Sequence, residues 1–184
     1  MDLDLTGVDL PAEEIRTERL LLRPFRPEDA EPVFRACQDP EIRRWLLALP
    51  SPYRREDAEA FVTGIAVSGR AEGHALHAAI EVSGEFVGSS GVHHLGEGRF
   101  GPEIGYWVAP WARGRGYAAE AARALADWAL AHGAPRVHLV TDVANTVSQR
   151  VAERAGFARE GVVRSCLGYQ DGTRADAVLF GRVR

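Results

Sequence analysis

No lysine occurs among the 184 residues; all 22 basic side chains are arginine. That absence excludes Schiff-base catalysis and a phosphate loop of the Walker type, each of which needs a lysine amine. Cysteine is scarce as well. Cys37 and Cys166 stand far apart and in no metal-ligand spacing, which reads as two reduced, packed thiols. The histidines offer no cluster: His74 and His77 lie three apart on a strand and face opposite sides, and the adjacent His93 and His94 diverge for the same reason. No metal site is expected. No apolar run reaches spanning length, and Met1 to Glu14 is acidic and broken by Gly7 and Pro11, unlike a signal peptide. A net charge of −4 argues against general binding to nucleic acid or a membrane surface. The expected setting is the cytoplasm.

What is present is an ordinary globular composition, 46% hydrophobic and 26% charged, in a length that suits one domain. Its most informative stretch is Val108 to Glu120, V-A-P-W-A-R-G-R-G-Y-A-A-E. A strand-like E-I-G-Y-W-V (Glu103 to Val108) runs through a Pro-Trp turn into a glycine-punctuated basic loop, which opens an alanine-rich helix. Gly114 and Gly116 carry no Cβ, so successive amides can turn toward a ligand. The helix brings its positive dipole end to the same spot, and Arg113 and Arg115 add charge. These features make a cradle for a pyrophosphate.

The same residues satisfy two motifs. As G-x-G-x-x-A, Gly114, Gly116 and Ala119 fit a dinucleotide fingerprint, with Asp142 ending a later strand. Against it, Ala109 to Ala112 separate the loop from its strand, and Glu120 to Arg184 is too short for a complete dinucleotide domain. A plain structural turn is the third reading. As R-x-x-G-x-A, Arg113, Gly116 and Ala118 resemble instead the acetyl-coenzyme-A loop of the GNAT N-acetyltransferase superfamily.

The rest of the chain sets the context. Residues 1–14 read as a loosely attached acidic leader and 15–184 as a single domain. Strands are expected at Arg16–Phe25, His74–Glu81, Glu85–Val92, Glu103–Val108, Arg136–Asp142, Phe157–Leu167 and Ala175–Val183. Helices are expected at Ala30–Gln38, Ile42–Leu47, Arg55–Ser68, Tyr117–His132 and Thr146–Ala155. A glycine-bearing loop, Gly96 to Gly101, precedes the Glu103 strand.

That order, together with T-E-R-L-L-L-R-P-F (Thr17 to Phe25), G-R-G-Y-A-A-E-A (Gly114 to Ala121), N-T-V-S-Q-R-V-A-E-R-A-G-F (Asn145 to Phe157) and Y-Q-D-G-T-R-A-D-A (Tyr169 to Ala177), resembles the GNAT N-acetyltransferase superfamily in its RimJ/RimL-like branch. The resemblance implies an α+β fold with a mixed, mostly antiparallel sheet and a splayed parallel pair at a cofactor wedge. It implies acetyl-CoA as acyl donor, with the pantetheine arm along Trp107 and Val108 and the pyrophosphate on Arg113, Gly114, Arg115, Gly116, Tyr117 and Ala118. Asn145 and Ser148 would stand near the cofactor sulfur. The loops Trp45 to Tyr53 and Tyr169 to Arg174 would shape the acceptor pocket.

The implied reaction is direct attack of a neutral amine on the thioester. A protein α-amine, with a pKa of about 8, is partly neutral at pH 7; a lysine side chain at about 10.4 is much less so. Glu103 is a candidate base and Glu160, in an A-x-E-G stretch after the last helix, its rival; one of His93 and His94 could also reach the amine. Ser148 is the candidate proton donor to the thiolate. Plainer roles stand beside these: Glu103 in a strand-end salt bridge, Glu160 as a solvated loop residue, Ser148 bonding only its helix or the cofactor, Asn145 as a helix cap. The expected acceptor is a protein N-terminus, ribosomal by analogy. A small amine (antibiotic, polyamine or amino acid) or a non-catalytic acyl-CoA-binding module are the alternatives. A homodimer is expected by analogy alone.

Overall fold

The computed structural model describes residues 3–96 and 100–184. Part of the Gly96–Gly101 loop and the first two residues of the leader lie outside the described residues. The strands are β1 (Ile15–Arg16), β2 (Leu21–Arg23), β3 (Ala75–Val82), β4 (Glu85–His93), β5 (Glu103–Val108), β6 (Arg136–Asp142), β7 (Ala158–Gly168) and β8 (Arg174–Val183). They form one sheet in the order β1-β2-β3-β4-β5-β6-β8-β7, antiparallel throughout except for the β5–β6 pair. A mixed, mostly antiparallel sheet with one parallel pair is the expected α+β architecture, and it leaves no place for the parallel sheet that a dinucleotide fold needs.

Helices cover both faces. α1 (Ala30–Cys37), α2 (Pro40–Trp45), α3 (Arg55–Ala60) and α4 (Ala66–Ala71) lie on one face, around Phe25, Val33, Ile42, Val62 and Ala79. α5 (Tyr117–Ala131) and α6 (Thr146–Arg154) lie on the other, around Leu76, Val92, Ile104, Leu125 and Phe180. The small side chains of Ala121, Ala122, Ala126 and Ala129 are wholly buried. They let α5 seat closely beneath β4 and β5, and so place its N-terminus at the end of β5.

Three expectations are corrected. The single strand over Arg16–Phe25 is two short strands, because the chain reverses between Thr17 and Leu20. There the Thr17 hydroxyl accepts from the Leu20 amide at 2.9 Å and donates to Glu120 of α5 at 2.5 Å. The Arg55–Ser68 helix is α3 and α4 joined through a π turn (Phe61–Ile65), and it ends at Ala71. The leader, expected to be loose, is packed from residue 3 onward: Leu10 is buried, and Leu3, Leu5 and Val8 lie against the α5-side core. The buried Arg70 fastens it by donating to the carbonyls of Leu10 (2.6 Å) and Glu13 (3.0 Å), while the Trp128 indole donates to the Glu13 carboxylate at 2.9 Å. Among the described residues no helix is long and apolar enough to cross a membrane.

Candidate active site

The parallel pair holds at one point only. Glu103 is the register partner of His138, and the His138 amide donates to the Pro102 carbonyl at 2.9 Å. From Ile104 onward β5 has a ladder partner on β4 but none on β6. β6 turns away instead to pair along its whole length with β8. The result is a slot through the sheet, with its apex at Glu103–His138 and its mouth between Val108 and Asp142. The backbone of Gly105 to Val108 lines one wall with unpaired groups, which suits an extended, amide-bearing arm.

At the mouth lies the cradle. Gly114 and Gly116 adopt φ of +78° and +81°, and Gly116 is the N-cap of α5. A left-handed N-cap leaves the first amides of α5 free at the helix start with the dipole behind them, an arrangement that favours negative charge. Arg113 is ion-paired with Asp39, the N-cap of α2, at 2.6 Å. Arg115 is exposed, and its carbonyl accepts from Arg19 at 3.0 Å. The Tyr117 ring is buried beneath the Arg19 guanidinium, 5.1 Å away, so Tyr117 and Ala118 offer backbone rather than side chain to the loop. Arg19 itself, ion-paired with Glu120 at 2.5 Å, is a cation of the cradle that the motif did not reveal, because it comes from the β1–β2 turn.

The two faces of the slot differ in chemistry. On the α5 face, the Tyr106 hydroxyl lies 3.0 Å from the Ser148 Oγ and 3.1 Å from the Ser148 carbonyl. The Asn145 side chain caps α6 by accepting from the Ser148 amide at 3.0 Å. Asn145 thus acts as the cap of α6 and orients the turn that carries Ser148. Burial pushes the Tyr106 hydroxyl up to about 12, against the bond to Ser148, so it stays a neutral donor. Tyr106 was missed from sequence; strand alternation puts it on the face opposite Trp107, but nothing local announced its partner.

On the α1–α4 face stand Glu103, Gly105 and Trp107. Trp107 packs against Phe86 (5.9 Å between rings) and forms the slot's wall there. The Glu103 carboxylate lies 3.6 Å from the His138 Nε2. Burial pushes Glu103 up, but His138, His93 and His94 together outweigh it and hold the carboxyl below its usual range. Glu160 shares this face, lying over Gly181, the β8 partner of His138. Its carboxylate is taken by Arg136 at 2.7 Å. The sheet therefore brings both carboxylates of the sequence reading to one face, but β6 stands between them, and only Glu103 borders the slot.

Over the mouth on that face, the loops 46–53 and 169–173 meet, with the Gln170 side chain donating to the Leu49 carbonyl. Between them lies a cavity of about 470 Å³ lined by Arg43, Arg44, Leu46, Leu49, Tyr169 and Asp171. The Tyr169 hydroxyl donates to Asp142, at the end of β6, at 2.6 Å. A larger recess of about 1040 Å³ opens on the other side of the cradle, among Arg26, Arg35, Glu85, Trp111 and Arg115. It reaches the cradle at Arg115 and Tyr117, and neither it nor the smaller cavity is lined by Glu103 or by Gly105 to Val108.

Comparison with known proteins agrees with this geometry. The family model of the acetyltransferase (GNAT) domain matches residues 19–158. YoaA of Bacillus subtilis (strain 168), an uncharacterized N-acetyltransferase, is 29% identical over 173 residues, covering 92% of this chain and 96% of that protein. RimJ of Mycobacterium smegmatis, solved in complex with CoA-disulfide, superposes with a TM-score of 0.78 at 25% identity, over 93% of this chain and 86% of that one. RimL, a ribosomal L7/L12 alpha-N-protein acetyltransferase solved in complex with coenzyme A, superposes with a TM-score of 0.81 over 93% of this chain and 98% of that one. At 22% identity the RimL likeness is one of fold.

Proposed function

Since the chain belongs to the acetyltransferase (GNAT) domain family, we propose that it moves an acetyl group from acetyl-CoA to a primary amine, the α-amine of a protein N-terminus. The observation that carries this reading is the slot. Among the described residues it is the one place where a parallel pair opens, and it runs from a helix-capped anion cradle to a carboxylate on one face and a hydroxyl pair on the other. On this reading residues 15–184 act as one catalytic domain, working in the cytoplasm.

The residues divide the work. The amides at Gly114, Gly116 and the start of α5 would hold the diphosphate, and the unpaired edge at Trp107 and Val108 would hold the arm. Bound there, acetyl-CoA supplies a thioester carbonyl carbon for the amine to attack. The acceptor approaches from the α1–α4 face through the 470 Å³ cavity. Glu103 lies at the apex on that side, ready to favour loss of a proton from nitrogen. Ser148, polarised by Tyr106, lies on the opposite face to give a proton to the departing sulfur. Having base and acid on opposite faces keeps them from neutralising each other. The likeness to RimL, named a ribosomal L7/L12 alpha-N-protein acetyltransferase, supports the N-terminal acceptor.

The test is mass spectrometry of peptides and small amines incubated with the protein and acetyl-CoA. Gain of one acetyl on peptide N-termini is the expected result; acetylation of small amines alone would replace the acceptor, and no gain on any amine would end the enzymatic reading. A melting curve with coenzyme A serves as control, because a ligand at 100 times its Kd adds about 2.7 kcal/mol, roughly 5–10 °C for a domain of this size.

A further inference from the structure

Glu103 is not the basic group nearest the working part of the slot. β4 pairs with β5 so that His93 faces Glu103 and Gly91 faces Gly105, while β3 brings His77 opposite Gly91. All five residues lie on the α1–α4 face. Two of them are glycines, and the room they leave is filled by one ring. A Cβ built on Gly105 would lie 3.1 Å from the His93 Nε2, and one on Gly91 would lie 3.4 Å from the same atom. The His93 imidazole thus leans from its own register position toward the mouth, and its Nε2 sits over Gly105. Gly105 is the first residue on this face beyond the Glu103–His138 bridge, so Nε2 stands at the apex, one position closer to the mouth than Glu103.

We propose that His93 accepts the proton from the acceptor amine, with Glu103 acting as the positioning carboxylate that supports the imidazolium as it forms. This rests on the acetyltransferase reading above. In the step, the amine nitrogen forms its bond to the acetyl carbon and gives one proton to His93 Nε2; the carbon–sulfur bond breaks, and the thiolate takes up one proton on the Ser148 side. No oxidant or further reactant is needed.

The surroundings suit that division. His77 meets the His93 ring edge-to-face with centroids 5.0 Å apart, and Phe61 backs His77 in the same way at 5.7 Å. The ring is therefore held by packing, while cross-strand neighbours such as His93 and Glu103 lie within side-chain reach. The charged and titratable groups facing His93 are Glu103 on β5, His77 on β3 and His94 beside it, with Arg70 of α4 beyond His77 and His138 beyond Glu103. Burial lowers His93 from its usual value, Glu103 opposes this and His94 adds to it, so the ring is neutral at pH 7 with a lone pair to offer. Glu103, held below the usual carboxylate range, stays ionised beside the ring and favours its protonated form.

The test compares wild type, His93→Gln and Glu103→Gln for acetyl transfer across pH, with melting temperature and CoA Kd as controls. The His93 ring resonances are followed with and without CoA. Wild-type transfer reports on the acetyltransferase reading alone. The expected result is a loss of about 100-fold or more in kcat for His93→Gln at unchanged CoA Kd. Glu103→Gln should lose less kcat than His93→Gln and move the acid limb to lower pH, since the carboxylate no longer favours the protonated ring. CoA should shift the His93 signals. A His93→Gln enzyme that keeps more than about a tenth of kcat, or a larger loss in Glu103→Gln, or ring signals indifferent to CoA, would each overturn the assignment. If His93→Gln does not fold, Gly105→Ala reads the same geometry: its Cβ, built 3.1 Å from Nε2, displaces the ring, so kcat should fall and its acid limb should move, and an unchanged pH profile of kcat would overturn the assignment.

Discussion

The Tyr106 hydroxyl, 3.0 Å from the Ser148 Oγ, ties the slot strand β5 to the first turn of α6. It joins the only two hydroxyls the structure brings together on the α5 face of the slot among the described residues, so each orients the other. Tyr106→Phe and Ser148→Ala are each expected to lower kcat about tenfold or more. The double variant should be little worse than the poorer single one, because the two act as a unit. Fully multiplicative losses would show that they act independently.

Gly116 carries the cradle. Its φ of +81° is strained for any other residue, at a cost of about 1–3 kcal/mol, and a side chain there would grow beside the Arg19 guanidinium, 3.6 Å from the new Cβ. Gly116→Val should remain folded by circular dichroism yet lose the stabilisation by CoA seen in wild-type melting curves. A variant still stabilised by CoA to the wild-type degree would remove the diphosphate from this loop.

His77 makes stability depend on pH. Burial first, then His93 and Arg70, lower its pKa to about 4, against about 6.5 in the unfolded chain. Between these values the unfolded chain holds a proton that the native state refuses. Stability therefore falls as pH drops from 6.5 toward 4, by up to about 3 kcal/mol. His77→Leu should flatten that limb of the urea midpoint against pH. The carboxyls of Asp39, Glu103 and Glu120, all held below their usual values, add their own loss only under more acid conditions. An unchanged slope in His77→Leu would contradict this account.

Arg23 is buried with Asp29, their side chains 4% and 6% exposed and 2.7 Å apart, and it also donates to Glu81 at 2.6 Å. Removing one member leaves a buried guanidinium half paired. Asp29→Ala is expected to cost about 3 kcal/mol, read as a drop of roughly 6–12 °C in melting temperature. Because the pair lies outside the slot, kcat below the transition should hold.

Much of this was legible before any coordinates. β5 and β6 begin and end where alternation and the flanking Pro102, Ala109 and Pro135 put them, and α5 starts at Tyr117 because Gly116 can take the left-handed cap. The cradle and the helix cap at Asn145 are local in the chain, so local residues announced them. The leader was misjudged because its attachment depends on Arg70 and Trp128, which are distant in sequence. Arg16–Phe25 was misjudged because Thr17 bonds Glu120, more than a hundred residues away.

By itself, then, the order of residues determined most of the elements from β3 onward, their periodicity, the glycine-marked loop and the family they resemble, since each follows from interactions within a turn or a few residues of strand. Only the tertiary structure decided which chemical groups meet. The seating of His93 over Gly105, the pairing of Glu103 with His138, the capture of Glu160 by Arg136 and of Arg113 by Asp39, and the Tyr106–Ser148 bond all join separate elements. Their partners are set by strand register and by the faces the helices cover. A shift of one residue in that register would send every one of those strand side chains to the opposite face.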